Sequence, residues 1–133
     1  MKSTDLMIGD WVFYSKKAFP YKIKLLGENL CKLDGIDDSV DLEEIHPVLL
    51  TEKTLKKSGF NVGQYSSWTQ HHTSYSLLND KGHRIVVVDF KEGKLNSIEV
   101  YGFLIDIESH SISSVHQFQH ALRLCGIEKE IDL

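Results

Sequence analysis

Short apolar runs separated by turn residues fill the first fifty positions of the chain. From Tyr21 to Leu25 the pattern alternates, with Lys22 and Lys24 between the apolar residues. A period of two is typical of a strand with one buried face. The predicted strands lie within residues 8–14 and over residues 21–25, 30–33, 40–42 and 48–50. Several short strands joined by tight turns predict a small barrel or a strongly bent sheet.

Thr51 begins the clearest helix signal in the chain. Its hydroxyl can cap the first turn, and Leu50 and Leu55 have the spacing of a hydrophobic staple across that cap. Gly59 fits the left-handed position after the last turn, where Phe60 can pack back onto Leu55. The pattern predicts a helix of barely two turns, which needs packing to be stable because it is so short.

The residues after this helix predict an antiparallel meander. Its strands are expected over residues 64–71, 74–78, 84–90 and 98–107, with a turn over 79–82 and a hairpin loop over 91–94. The β-branched run at residues 85–88 predicts a central strand covered on both faces. Gly102 interrupts the last strand and is expected to mark a β-bulge.

A helical period closes the chain, from residue 113 or 114 to Cys125, and Gly126 ends it. Its apolar residues fall on one stripe: Val115, Phe118, Ala121, Leu122 and Cys125. We expect this stripe to cover one face of the second sheet. The last residues, 127–133, are acidic and are expected to fray.

Together these elements predict an α+β fold. Residues 1–50 form an N-terminal small β-barrel, residues 51–60 a short linking helix, and residues 61–133 an antiparallel β-sheet meander packed by one C-terminal helix. We expect one compact unit, because 133 residues is the size of a common single domain.

Charge and composition narrow the classes of function. The net charge is -4, from 15 Lys and Arg against 19 Asp and Glu, which disfavours a general nucleic-acid-binding surface. The two cysteines, Cys31 and Cys125, are expected to be reduced, packed thiols. The first residues lack a secretion signal, and no apolar run approaches the roughly 18 residues that cross a membrane. We therefore expect a cytoplasmic protein without membrane contact.

Residues 11–24 form a patch with four lysines and no acidic residue. Its lysines are Lys16, Lys17, Lys22 and Lys24, and its aromatic residues are Trp11, Phe13, Tyr14, Phe19 and Tyr21. Aromatic rings that stack on bases, with lysines that meet phosphates, are typical of small barrels that bind single strands. The patch could equally bind a protein. In a third interpretation the aromatics are core and the lysines keep an edge strand soluble.

The histidines form no recognisable reaction centre. His116 and His120 are four positions apart, so one helix face could offer two ligands to a transition metal. A third ligand is missing, and the pair is expected to face solvent, away from the apolar stripe. The chain has no Gly-x-Ser-x-Gly turn and no Gly-rich phosphate loop. We therefore expect no enzyme, no catalytic residue, no metal and no cofactor.

Two resemblances add to these patterns. Residues 8–12, IGDWV, resemble the opening of small barrels of the Src-homology-3-like or KOW type, where a Gly-Asp turn feeds the first strand. Residues 1–12, 50–60 and 115–119 resemble a group of small uncharacterised proteins of Bacteroides-type gut bacteria, often associated with prophages or mobile elements. The group has no established activity, so this resemblance implies a fold and an origin but no function.

The last matching segment usually reads VHQLQN in that group. Here Phe118 replaces the leucine and His120 stands where asparagine is usual, so His120 is a poor candidate for a shared metal ligand. His116 and Gln117 keep the pattern, and the resemblance implies a structural or binding role for both.

We therefore predict a non-enzymatic binding or accessory protein that acts through a protein-interaction surface. Its partner is expected to be another protein or a second copy of the chain. The alternative is a nucleic-acid-binding accessory protein that uses the patch over residues 11–24. The candidate binding residues are Trp11, Tyr14, Lys16, Lys17, Lys22, Lys24, His116 and Gln117.

Overall fold

A computed structural model of the protein describes residues 1–67, 70–105 and 112–133. The described chain is mostly antiparallel β-sheet with two α-helices, which confirms the predicted α+β class. It divides into two compact units. Unit 1 contains residues 1–49 and 114–120, and unit 2 contains residues 50–113 and 121–133. The sequence pattern had assigned the whole C-terminal helix to the second sheet, whereas its first half belongs to unit 1.

Unit 1 contains a five-stranded antiparallel sheet. Its strands are β1 Trp11–Tyr14, β2 Pro20–Leu26, β3 Leu30–Leu33, β4 Val40–Asp41 and β5 Ile45–Pro47. They lie in the order β4-β3-β2-β1-β5. Strand β5 precedes the position expected for the fifth strand, residues 48–50. Among the described residues, no pairing between β4 and β5 closes this sheet into a barrel.

One face of this sheet forms the core of unit 1. Its buried cluster consists of Leu6, Val12, Ile23, Cys31, Leu33, Val40, Leu42 and Ile45. Burial in this cluster raises the pKa of the Cys31 thiol, as expected of a thiol packed among hydrocarbon. Cys125 is exposed, so the prediction that both cysteines are packed is wrong for this one.

A tight turn before β1 buries a carboxylate. The backbone N–H of Asp10 donates to the Met7 carbonyl at 3.1 Å, and the Met7 N–H donates to Asp10 Oδ2 at 2.8 Å. Gly9 takes a φ of 93°, which a glycine adopts without strain. The Gly-Asp pair thus reverses the chain and leaves the Asp10 side chain fully buried.

Unit 2 begins with helix α1, Glu52–Lys57, and both ends follow the predicted chemistry. Thr51 Oγ1 accepts from the Thr54 N–H at 3.3 Å. At the other end, the N–H groups of Gly59 and Phe60 donate to the carbonyls of residues 56 and 55, which is a Schellman motif. The short helix predicted here is therefore confirmed.

Helix α1 is tied to the sheet of unit 2 through its first residue. The Tyr75 hydroxyl donates to Glu52 Oε1 at 3.1 Å. Burial, this hydrogen bond and the Glu52 charge raise the pKa of Tyr75 to about 12.

The second sheet is a five-stranded antiparallel meander. Its strands are β6 Asn61–Ser67, β7 Gln70–Leu78, β8 Arg84–Lys91, β9 Lys94–Val100 and β10 Phe103–Ile105. They lie in the order β10-β9-β8-β7-β6. Residues 68–69, within the first expected strand, and 106–107, at the end of the last one, lie outside the described residues. Strand β8 was expected to be central and covered on both faces. It is central, with apolar residues buried on one face, whereas the other face carries the half-buried Val87 and the buried Asp89.

Two-residue turns join the last three strands. Glu92 and Gly93 have φ angles of 50° and 76°, and Tyr101 and Gly102 have angles of 51° and 82°. Positive φ at both central residues is the type I′ geometry that matches the twist of a hairpin. Gly102 is therefore part of a chain reversal, and the bulge predicted there is wrong.

Helix α2, Val115–Leu124, ends with a second Schellman motif around Gly126, as the sequence predicts. The residues after it do not fray, because Ile127 and Ile131 are buried. The Asp132 N–H also donates to Ser58 Oγ at 2.9 Å. Within the described residues, neither helix has the length and apolar character needed to span a membrane.

Candidate binding site

The outer face of the first sheet gathers aromatic and basic side chains. Cross-strand pairing places Trp11 opposite Lys22, and Phe13 opposite both Pro20 and His46. Paired residues share one side of a sheet, and this side is opposite the one where Val12 is fully buried. We call this surface, with Lys16, Lys17 and Phe19 of the β1–β2 connection, the basic–aromatic face.

A cation–π contact lies on this face. Lys22 Nζ is 5.1 Å from the centroid of the Trp11 ring, and both side chains are half-buried. Phe19 lies in the connection with 72% of its surface exposed. The face therefore combines a held ammonium group with an apolar side chain that contacts little of the protein.

The remaining lysines of the predicted patch are all exposed. Lys16 Nζ lies 3.8 Å from Glu44 Oε1, and an exposed pair of this kind contributes little to stability. Lys17 is in the same connection, and Lys24 follows Lys22 along β2. Tyr14 is placed on the opposite side of the sheet, where it packs against the core of unit 1.

Gln117 and Ser114 cap the first turn of α2. Gln117 Oε1 accepts from the Ser114 N–H at 3.3 Å and from its hydroxyl at 2.9 Å. The Gln117 N–H in turn approaches Ser114 Oγ at 3.4 Å. This reciprocal arrangement is a capping box, so Gln117 has a structural role in beginning the helix.

His116 is buried, which contradicts the prediction that the histidine pair faces solvent. Its Nδ1 lies 3.0 Å from Ser114 Oγ. Because the single hydroxyl proton of Ser114 is donated to Gln117, His116 Nδ1 must donate here. Burial lowers the pKa of His116, the nearby His120 lowers it further, and Asp10 and Asp5 oppose the shift. The neutral imidazole is therefore favoured.

His120 contacts the buried carboxylate of the Gly-Asp turn. Its Nε2 lies 2.9 Å from both Oδ1 and Oδ2 of Asp10, and its ring centroid is 5.7 Å from that of His116. The histidines turn inward because unit 1 supplies an acceptor 110 residues away along the chain. In the described part of the chain, no three His, Cys, Asp or Glu side chains are arranged to hold a metal ion.

A second serine–histidine contact lies on the basic–aromatic face, where Ser15 Oγ is 2.9 Å from His46 Nε2. Ser15 donates its hydroxyl proton to the Glu44 carbonyl at 2.9 Å, so the imidazole again donates to the serine. A nucleophilic serine needs the opposite arrangement, in which the histidine accepts the proton. Neither of these two contacts is set up for that chemistry.

Acidification is expected to destabilise the protein through His116. The pKa of His116 is lowered in the folded state, so the unfolded chain binds the proton more readily. The free energy of unfolding should then fall as the pH drops below the unfolded value of about 6.5, by at most about 1.4 kcal/mol per pH unit. Urea unfolding between about pH 7 and pH 5 measures this slope.

The matched variant is His116→Asn, whose amide can still donate to Ser114 but does not titrate. We expect a shallower slope for the variant than for the wild type. Parallel curves for the two proteins would show that His116 is not the responsible group.

Sequence reasoning missed a polar network in unit 2. Asp89 Oδ2 accepts from His72 Nδ1 at 2.8 Å and from Asn96 Nδ2 at 2.9 Å. The one available signal was an aspartate inside the most apolar strand of the chain. Comparison with protein-family models, with curated proteins and with solved structures finds no match for this chain.

Proposed function

We propose that this protein is a non-enzymatic binding protein, and that the basic–aromatic face of unit 1 holds an acidic segment of another protein. The observation that carries the proposal is the ammonium group of Lys22 over the Trp11 ring, together with an exposed Phe19 in the connection between the same two strands. We include in the proposal that the first sheet curves like a small Src-homology-3-like barrel.

Apolar anchors support a protein partner. Tryptophan and other large side chains at the centre of a surface supply most of the binding energy in protein interfaces. Trp11 and Phe13 lie side by side on the outer face, and Phe19 has most of its surface available for burial. A partner side chain placed against them would remove apolar surface from water on both molecules.

Local charge supports an acidic partner. The face carries lysines at residues 16, 17 and 22, and Lys24 lies on the same strand as Lys22. Complementary charge mainly accelerates association and selects partners. The overall charge of -4 would repel an acidic partner elsewhere on the protein, so binding would be directed to this face.

A nucleic-acid partner is the alternative, and the same lysines support it. Base stacking needs an uncovered aromatic face. The Lys22 ammonium covers one side of the Trp11 ring, so this ring offers less surface to a base. This feature favours a peptide over a single strand. The direction of proton donation at Ser15 and Ser114 supports a non-enzymatic role.

The test is selection from a displayed library of random short peptides against the full chain. We expect enrichment of peptides that combine Asp or Glu with an aromatic or leucine residue. The Trp11→Ala variant should weaken the selected peptides by roughly 30-fold or more, as expected of an interface hot spot.

Lys22→Glu should weaken binding by about tenfold or more. Lys32→Glu makes the same change of charge at an exposed position of β3 and should have little effect. Equal losses in the two lysine variants would show that only net charge matters. Tight, salt-dependent binding of oligo-dT without peptide enrichment would favour the nucleic-acid alternative.

A further inference from the structure

The second sheet has a polar face with a groove of about 330 Å³. Val86, Val88 and Phe90 of β8 are buried on the apolar side, so the residues between them point to the other side. There Asp89 has Ser74 and Ser97 as its cross-strand neighbours. The groove is lined by Gly63, Gln64, Ser74, Arg84, Asp89 and Glu99, among others.

The floor of this groove is rigid. Gly63 lets Ser74 approach closely there, because a Cβ at this position would lie 3.2 Å from Ser74 Oγ. Asp89 is 5% exposed and is fixed by the hydrogen bonds from His72 and Asn96. A carboxylate held in one orientation at the bottom of a groove is pre-organised to interact with a donor or a cation.

Two opposite charges line the groove without pairing. In the part of the chain that the structure describes, Arg84 and Glu99 make no ion pair or hydrogen bond with each other or with any other side chain. Arg84 is three residues from Val87, whose cross-strand partner is Glu99. The Cα atoms of Arg84 and Glu99 are therefore offset by roughly 10 Å along the strand direction. This separation leaves room for a small molecule between the two charged groups.

We propose that this groove binds a free α-amino acid as its zwitterion. The guanidinium of Arg84 matches the ligand carboxylate, which it can bind through two parallel N–H bonds. The ligand ammonium group faces Glu99, in the negative field of Asp89. Gln64 and Ser74 offer an amide and a hydroxyl to polar atoms of the ligand. A groove of about 330 Å³ is at the small end of ligand pockets, which suits a molecule of this size.

Other small ligands fit these charges less well. A polyol would leave the Arg84 guanidinium and the Glu99 carboxylate without an opposite charge. A simple amine would compensate Glu99 but would be repelled by Arg84, and a simple anion would face two carboxylates. Only a ligand that carries both charges satisfies both sides of the groove.

The test is a titration of the full chain with each of the twenty amino acids, followed by backbone amide resonances. We expect at least one amino acid to shift the resonances of residues 63, 74, 89 and 97 in a saturable manner. The N-acetyl amide of the best ligand lacks both charges and should bind at least tenfold more weakly. Glucose and putrescine should leave these resonances unchanged.

Arg84→Gln and Glu99→Gln should each weaken the best ligand by about 10- to 100-fold. Lys81→Gln and Glu128→Gln remove the same charges at exposed positions of unit 2 and should leave affinity unchanged. Since Arg84 and Glu99 are not fully buried, their variants should keep the wild-type circular dichroism. The proposal is overturned if no amino acid binds at tens of millimolar, if the capped analogue binds equally well, or if glucose or putrescine binds instead.

Discussion

Replacing Asp10 with alanine is expected to lower the free energy of unfolding by about 3–5 kcal/mol. The carboxylate is fully buried and accepts hydrogen bonds from the Met7 N–H and from His120 Nε2. Its removal takes this acceptor away from the Met7 N–H and from His120 Nε2, and it leaves a small cavity at the turn before β1. It also breaks the contact between the first turn of unit 1 and α2. Urea unfolding of the full chain, followed by circular dichroism, measures the loss.

Asp5→Ala is the matched control, because this aspartate is exposed on the same N-terminal segment. It should change stability by no more than about 0.5 kcal/mol. A double-mutant cycle with His120→Ala should give a coupling energy of about 1–3 kcal/mol. If Asp10→Ala lowered the free energy of unfolding by no more than Asp5→Ala does, the buried carboxylate would not be important for the stability of unit 1.

Leu55→Ala is expected to cost about 2–5 kcal/mol. Leu55 has no exposed surface, and it is the one buried leucine within the six residues of α1. Its carbonyl also accepts the N–H of Phe60 in the Schellman motif that ends the helix. A helix this short has no stability of its own, so losing the packing of this side chain should unfold it.

Leu124→Ala provides the comparison, because Leu124 is also helical but is 89% exposed. Alanine has the higher helix propensity, so this change should be close to neutral. Thermal or urea unfolding of the two variants should separate them clearly. Similar transitions for both would mean that α1 is not required by the sheet of unit 2.

The features that the sequence predicted well depend on residues close together in the chain. Thr51 and Gly59 set the ends of α1 through hydrogen bonds that span only a few residues. Gly126 ends α2 in the same way. Strand alternation also separated Ile23 from Lys22 correctly, because pleating alone decides which of two neighbours faces the core.

Turn type was harder to predict where the side chain is unusual for its backbone. Glu92-Gly93 and Tyr101-Gly102 make the same kind of turn, yet only the first was expected to reverse the chain. A tyrosine rarely takes positive φ, so the sequence favours a bulge at Gly102. A long-range contact decides the outcome, since the Tyr101 N–H donates to the Ile85 carbonyl at 2.8 Å.

The side-chain networks could not be predicted because they join distant residues. Helical spacing placed His116 and His120 on one face, but nothing in α2 indicates that Asp10 receives that face. The burial of Ile127 and Ile131 has the same origin, since Asp132 is anchored to Ser58. The groove at Asp89 requires the register of four strands, which residue patterns do not specify.

The pairing of Asp10 with His120 also determines how early unit 1 can finish folding during translation. A ribosome adds about 5–20 residues per second, so the 110 residues between these partners take roughly 5 to 20 s to make. During that interval the nascent N-terminal segment contains Asp10, but its partner His120 has not yet been synthesised. Unit 1 therefore completes its fold only after residue 120 has been synthesised, and a nascent-chain binding factor would have that whole interval in which to engage it.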